Sequence, residues 1–135
     1  MRVIVDRSVW SLALRRKTPV STPETDAFSA LIEEGRVTLI GPVRQEILSG
    51  IRHEEQFDRL RTALEAFPDE PVTTKDFEEA ARICNTCMRK GVLNGNTDSL
   101  IAAVAINRDL EIFSTDKDFL HMASVVPIKL YQLTS

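Results

Sequence analysis

The chain has 135 residues, of which 43% are hydrophobic and 27% charged, and its net charge is −3. This composition is ordinary for a soluble globular protein, and the length predicts one domain, residues 1–135, with a substantial core. The net negative charge argues against indiscriminate binding to nucleic acid. No apolar run approaches the roughly 18 residues of a membrane span and no segment resembles a signal peptide, so we expect a cytoplasmic protein.

The charges are unevenly distributed along the chain. Residues 1–20 carry five basic side chains and one acid, whereas residues 53–79 carry nine acids and three bases. One end of the molecule is therefore suited to a polyanion while another face repels it.

The predicted elements of the first half are short apolar strands and amphipathic helices. In chain order they are a strand at 2–5 that ends on Asp6, a helix at 8–14, a turn region at 18–23, a helix at 24–34 closed by Gly35, a strand at 37–40 and a helix from Gly41-Pro42 to Ile51. Glu46 lies on the flank of the last helix. Helices between residues 24 and 51 show more apolar surface than a small monomer needs.

The second half begins with helices and returns to strands. The predicted elements are a helix at 53–66, a helix at 76–89 capped by Thr73 or Thr74, a loop at 91–96, a helix at 97–106, a strand at 111–115, a short helix that opens at Asp116, and a strand at 128–131. The helix at 97–106 is apolar almost all round, with Thr97 as the expected N-cap and Asp98 in its first turn.

The two cysteines, Cys84 and Cys87, form a C-x-x-C inside the predicted helix at 76–89. A redox pair normally sits at a helix N-terminus, and a zinc site needs two more ligands nearby. Neither context is visible in the sequence. We interpret the pair as two small residues on one helix face, and their low number favours a reducing compartment.

Short strands separated by helices predict an α/β fold, a three-layer domain with a mostly parallel central sheet flanked by helices. In such sheets the functional site lies beyond the carboxyl ends of the strands. Asp6 and Asp116 follow two predicted strands, and Glu46 and Asp98 occupy early turns of two helices. The sequence therefore predicts that four carboxylates meet at one edge of the sheet.

Each of these acids has a structural explanation when it is considered alone. Asp6, Asp98 and Asp116 are placed to cap helices, and Glu46 is placed to be a solvated face residue. Together they repel one another unless their pKa values rise or a cation compensates the charge. Oxygen ligands without a well-placed cysteine or histidine favour Mg²⁺ or Mn²⁺ over zinc.

Four segments of this chain resemble, in order and spacing, the successive motifs of PIN-domain ribonucleases of the VapC toxin type. They are VIVDRSVW at 3–10, PVRQEILSG at 42–50, TDSLIAA at 97–103 and TDKDF at 115–119. The resemblance covers nearly the whole chain. It departs from the usual pattern at two places, since Arg7 stands where a small hydroxyl residue is usual and Ser114 where threonine is common.

The resemblance implies a PIN-like fold with catalytic and metal-binding roles for Asp6, Glu46, Asp98 and Asp116. It also implies a divalent-metal-dependent endoribonuclease, with Mg²⁺ or Mn²⁺ as cofactor, that serves as the toxin of a type II toxin–antitoxin pair. The implied partners are the RNA substrate, a cognate antitoxin, and a second copy of the chain, within a larger complex or alone. Further residues expected around the metal or the substrate are Arg7, Ser8, Thr97, Ser114 and Asp118.

The residues favour attack by water, which leaves a 5′-phosphate and a 3′-hydroxyl. Glu46 and Asp116 are the candidates for accepting the proton. His53 and His121 lie in polar helical contexts and are expected at the surface, so no histidine is placed to activate the 2′-hydroxyl.

Two alternatives are a catalytically silent PIN-like module that holds a structural cation, and a receiver-like phosphoacceptor domain. The second normally has paired acids near its first strand, and Asp6 has no acidic neighbour.

Overall fold

The structure of the protein is a computed structural model that describes residues 1–15 and 20–133. Part of the predicted turn region at 18–23, and two of the five N-terminal basic residues, lie outside the described residues. The strands are β1 Val3–Val5, β2 Val37–Thr38, β3 Glu111–Phe113 and β4 Lys129–Leu130. The helices are α1 Arg7–Leu14, α2 Pro23–Glu33, α3 Gly41–Leu48, α4 Glu54–Leu64, α5 Thr74–Arg89, α6 Asn96–Arg108 and α7 Lys117–Ala123.

The four strands form one parallel sheet in the order β2-β1-β3-β4. Val3 lies opposite Val37 on one side and Glu111 on the other, and Ile112 lies opposite Leu130. All three residues of β1 are fully buried, so helices cover both faces of the sheet, as parallel sheets require. The predicted α/β architecture with a parallel central sheet is confirmed.

The strand order creates a switch point between β1 and β3. After β1 the chain moves outward to β2, and it later returns to place β3 on the opposite side of β1. Loops that leave β1 and β3 therefore diverge and leave a crevice beyond the carboxyl ends of these two strands. The loops in question begin with Asp6 and Ser114.

The largest buried side chain, Trp10, fixes α1 against the sheet and α2. Its ring packs edge-on against Phe28 and Phe67, with centroid separations of 4.7 and 5.0 Å. Because a buried indole N–H needs an acceptor, its position is set further by donation to the Val5 carbonyl at 3.1 Å. Trp10 thus orients the helix that directly follows Asp6.

Local signals explain most helix ends. Gly35 adopts φ +67° after α2, and the amides of Gly35 and Arg36 donate to the Ile32 and Leu31 carbonyls, which is the Schellman arrangement. Thr73 caps α5 by accepting from the Asp76 amide. The predicted helix 41–51 ends earlier, at Leu48, because Ser49 is already extended, with ψ 146°, and Gly50 follows with φ +77°.

The predicted cap of α6 is wrong. The helix begins at Asn96 with Gly95 as its N-cap residue, so Thr97 lies inside the first turn. The reason is that Asp98, the third helical residue, accepts a hydrogen bond from the Gly95 amide at 3.4 Å and satisfies the N-terminus from within the helix. Asp98 therefore takes part in capping and also lies at the crevice.

An ion pair between the buried Asp76 and the part-buried Arg108 joins α5 to α6 away from the crevice. Asp76 is 1% exposed and accepts from both terminal nitrogens of Arg108, at 2.9 and 2.8 Å, and from Asn107 at 2.8 Å. These bonds, with the Thr73 amide and hydroxyl, saturate the carboxylate. Hydrogen bonding to Arg108 holds the pKa of Asp76 well below its usual range. This carboxylate is structural.

The two cysteines lie inside a helix, as the sequence predicted. Cys84 and Cys87 are in the C-terminal half of α5, and burial raises the pKa of the Cys87 thiol, which opposes a reactive role. Among the described helices, none is both long and apolar enough to cross a membrane.

Exposed apolar surface lies elsewhere than the sequence suggested. Within residues 24–51 the large hydrophobic side chain that is exposed is Ile32, at 39%. By contrast Phe77, Met88 and Leu93, on α5 and the loop after it, are 56%, 69% and 78% exposed. If a second copy of the chain binds, α5 therefore offers a better apolar contact surface than the helices between residues 24 and 51.

Candidate metal centre and active site

Asp6 lies at the carboxyl end of β1 and points its side chain into the crevice rather than at a helix end. Its amide donates to the Phe113 carbonyl at 2.9 Å, which continues the pairing of β1 with β3. Although Asp6 is the N-cap residue of α1, its side chain makes no capping hydrogen bond. The side chain, 4% exposed, instead accepts from the Ser114 hydroxyl at 2.8 Å.

Ser114 and Ser8 hold the loop between β3 and α7. The Ser114 oxygen lies 3.2 Å from that of Ser8 and accepts from the Asp116 amide at 2.9 Å. Because the one Ser114 proton goes to Asp6, Ser8 is the donor between the two hydroxyls. Ser8 in turn accepts from the Thr115 amide at 3.0 Å. Ser114 therefore has its proton and both lone pairs occupied, and it positions Asp6 and Asp116.

Asp116 is the N-cap residue of α7, and Asp118 lies in the first turn of that helix. Asp116 caps the helix by accepting from the Asp118 amide at 2.9 Å. One oxygen of Asp116, one of Asp118 and one of Asp98 all lie within 4.8 Å of one another. The spacing Asp-x-Asp at a helix start is the sequence signal for this pair. We name these three residues the acidic triad.

The acidic triad lies in the field of Asp6 and Glu46. Burial is the largest cause that raises the pKa of Asp98 from 3.8 to about 6, and the charges of Asp6, Asp116 and Glu46 raise it further. The Gly95 amide opposes this rise. Three of the four acids proposed from the sequence thus raise the pKa of the fourth, Asp98. The acidic triad itself contains Asp118 and does not include Asp6 or Glu46.

Glu46 reaches the crevice from the second turn of α3 and faces Arg7. The Arg7 Nε atom lies 4.0 Å from a Glu46 carboxylate oxygen, and both side chains are partly exposed. Burial raises the pKa of Glu46, and Asp6 adds to the rise, whereas Arg7 and the Thr97 hydroxyl oppose it. We call the acidic triad together with Asp6 and Glu46 the acidic centre, and Arg7 faces this centre from the Glu46 side.

The residues present fit a hard divalent cation. The donor atoms that converge are carboxylate oxygens, which Mg²⁺ and Mn²⁺ prefer. Like charges packed this closely are costly, and their repulsion adds to the burial that raises the pKa of Asp98. A bound cation would offset this repulsion.

Sequence reasoning missed two features of this region. The first is the Gly95 amide, which donates to Asp98. The sequence pattern that could have predicted this bond is an acid at the third position of the helix. Arg15, at the C-terminal end of α1, lines a cavity of about 460 Å³ together with Arg7 and Glu46. The sequence pattern that could have predicted the position of Arg15 is its spacing of eight residues from Arg7, which places the two arginines at the two ends of one helix.

Comparisons with known proteins agree with this geometry. The PIN domain family model matches residues 3–125. Comparison with curated protein sequences finds no significant match.

Among solved structures, FitAcB from Neisseria gonorrhoeae is similar with a TM-score of 0.74 and 20% identity, over 96% of each chain. VapBC2 from Rickettsia felis, bound to a DNA fragment from its promoter, has a TM-score of 0.74 and 16% identity over 97% of this chain and 98% of that one. VapBC-5 from Mycobacterium tuberculosis, of a family of toxin–antitoxin systems, has a TM-score of 0.70 and 18% identity, over 98% and 99%. At these identities the likeness concerns the fold.

Proposed function

This chain belongs to the PIN domain family, and on that premise we propose that it is a divalent-metal-dependent endoribonuclease that acts as the toxin of a toxin–antitoxin pair. The observation that carries the proposal is the acidic triad in the crevice between β1 and β3, within the field of Asp6 and Glu46. A structural role alone does not explain why acids from four distant segments are held together at a cost to their ionisation. Family membership also removes the receiver-like alternative.

In the proposed site Asp98, Asp116 and Asp118 hold the ion, with Asp6 beside them. Mg²⁺ or Mn²⁺, when bound, would lower the pKa of a water molecule and neutralise charge that develops on the phosphate. Ser114 keeps the Asp6 carboxylate oriented through its 2.8 Å hydrogen bond. The protein's part is therefore to fix several anionic oxygens at the end of the sheet.

Glu46 is the residue that we assign to proton transfer. Its carboxylate belongs to a different element from the acidic triad, and its raised pKa makes it a better proton acceptor near neutral pH than an ordinary glutamate. His53 and His121 are both exposed, so neither is placed to deprotonate a 2′-hydroxyl in the crevice. Transfer of the proton from an attacking water to Glu46 predicts a 5′-phosphate product.

An antitoxin is the proposed partner, as two of the similar structures are described as toxin–antitoxin or VapBC complexes. The acidic triad offers a bidentate seat to an arginine of such a partner, which would compete with the metal. We therefore expect a stoichiometric complex to cleave RNA more slowly than the free protein. Equal rates for the complex and the free protein would contradict this part of the proposal.

A homodimer is also proposed. The exposed side chains Phe77, Met88 and Leu93 supply an apolar face for it. Sedimentation at micromolar concentration should give twice the mass of the chain, and Phe77→Glu should shift the mass toward one chain. A parent protein that sediments as one chain would refute this prediction.

The test of the enzymatic proposal is cleavage of labelled total RNA by the purified chain with Mg²⁺, with Mn²⁺ and with a chelator. We expect metal-dependent fragments that carry 5′-phosphates, and none from Asp98→Asn. If metal raises the melting temperature but no RNA is cut, the protein is instead a metal-binding interaction module. If metal changes neither property, the metal centre itself is refuted.

A further inference from the structure

Two neighbouring cavities lie on the Glu46 side of the acidic centre and share Arg15. The first, about 460 Å³, contains Glu46 and Thr97 and extends along α1 to Arg15. The second, about 470 Å³, begins at Arg15 and is bounded by the N-terminal part of α4. Arg15 lines both cavities, and we call the two together the arginine groove. Its charged and titratable lining, within the described residues, is Arg7, Arg15, Glu46, His53, Glu55 and Arg59.

The arginine groove is locally basic in a chain whose net charge is −3. Its described lining holds three arginines and His53 against two acids, Glu46 and Glu55. One of these acids, Glu46, faces Arg7 at 4.0 Å. The groove thus places an excess of cations directly beside an acidic centre.

The arginines of the groove lie at the two ends of α1. Arg7 begins α1 and Arg15 follows its last residue, so eight residues of helix separate them by about 12 Å along the axis. Arg59, from α4, lies at the same end of α1 as Arg15 and donates to the Leu14 carbonyl at 3.3 Å. Gln56 donates to the Arg15 carbonyl at 3.4 Å, which joins α4 to the end of α1 and gives the groove a second wall.

We propose that the arginine groove binds the sugar–phosphate backbone of single-stranded RNA on one side of the cleaved bond, with Arg7 at one phosphate and with Arg15 and Arg59 at a phosphate farther along the strand. A groove with cations at intervals tracks a phosphate backbone, and guanidinium groups are suited to phosphate oxygens. The inference rests on the proposed function, because it takes the acidic centre as the place of cleavage. Arg7, the departure from the family pattern, then has a role at the phosphate nearest to Glu46.

The test measures RNA binding without cleavage. A fluorescein-labelled oligouridine of about 15 nucleotides is titrated with the protein in a chelator, at salt concentrations from about 50 to 200 mM, and anisotropy gives the dissociation constant. Arg15→Gln should weaken binding roughly fivefold at the lowest salt. It should also reduce the slope of log K against log salt by about 0.7, the value for one phosphate contact on a single strand.

Matched variants separate a phosphate contact from a general loss of charge. Arg61→Gln removes one exposed cation from α4, where Arg61 pairs with Asp58 and Glu65 outside the groove, and it should leave the slope unchanged. Arg15→Lys keeps the point charge and should restore most of the affinity and the slope. Melting temperatures of all variants should match the parent, because Arg15 is exposed.

Three results would overturn the inference. Equal effects of Arg15→Gln and Arg61→Gln would show that only net charge matters. A loss confined to Lys117→Gln, on the α7 side of the acidic centre, would place the RNA on the opposite side. A parent protein that does not bind the oligouridine at the lowest salt has no backbone groove. Cleavage is measured separately, so a protein that cleaves but fails these tests refutes the groove alone, and one that passes them without cleaving any RNA refutes the nuclease alone.

Discussion

Replacing Asp98 by asparagine distinguishes a metal-binding carboxylate from a helix cap, because asparagine keeps the oxygen that accepts from Gly95 and removes the charge. The pKa of Asp98 rises from 3.8 to about 6 on folding. A rise of this size corresponds to at most about 3 kcal/mol of destabilisation of the charged form. Since Asp98 is only half-buried, solvent screening reduces this to about 1–2 kcal/mol.

The variant also loses a favourable charge at a helix N-terminus, which costs about 0.3–1 kcal/mol. We therefore expect metal-free Asp98→Asn to be more stable than the parent by about 1 kcal/mol at pH 7, or roughly 3 °C in melting temperature. The sign depends on pH. Because the pKa of Asp98 is raised on folding, the protonated carboxyl makes its full contribution to the stability of the parent below about pH 4. That contribution is lost as the pH rises to about 6. The advantage of the variant should appear across that interval.

The assay combines thermal melts from pH 4 to pH 8, with and without Mn²⁺, and RNA cleavage. Asp58→Asn, an exposed aspartate on α4 that pairs only with Arg61 among the described residues, is the control and should change none of these properties. Parent melting temperature should rise with Mn²⁺ and that of Asp98→Asn should rise less. A variant that is less stable than the parent at pH 7, responds fully to Mn²⁺ and still cleaves RNA would assign Asp98 to capping alone.

Three further substitutions test other parts of the site and fold. Glu46→Gln should reduce cleavage by about 10²- to 10⁴-fold and leave the shift of melting temperature with Mn²⁺ intact; loss of that shift would make Glu46 a metal ligand instead. Asp118→Asn should diminish the Mn²⁺ shift, since Asp118 belongs to the acidic triad, and an unchanged shift would limit the metal set to its neighbours. Asp76→Ala removes the buried carboxylate that holds Arg108, which keeps its ion pair with Glu70, and it should cost about 1.5–3 kcal/mol in urea unfolding, whereas a loss below about 1 kcal/mol would contradict its structural role.

The sequence by itself determined the fold class and the place of the acids along the chain. Strands such as Val3–Val5 are continuously apolar because a parallel sheet is buried on both faces, and this pattern is legible without coordinates. Chain order then puts Asp6 and Asp116 just after strands, where a parallel sheet collects its functional residues. Local chemistry also determined ends such as Gly35, whose positive φ favours glycine.

Only the tertiary structure decided which groups meet. Gly95 rather than Thr97 is the cap of α6 because the Gly95 amide donates a hydrogen bond to Asp98. Both residues are acceptable at an N-cap, and the sequence alone does not show which of them the helix uses. The closeness of Asp118 to Asp98, and the saturation of the Ser114 hydroxyl, depend on how β3 and α7 lie against β1 and α6. Such contacts join residues far apart in the chain, and their distances are set by packing of the whole core, which no local pattern encodes.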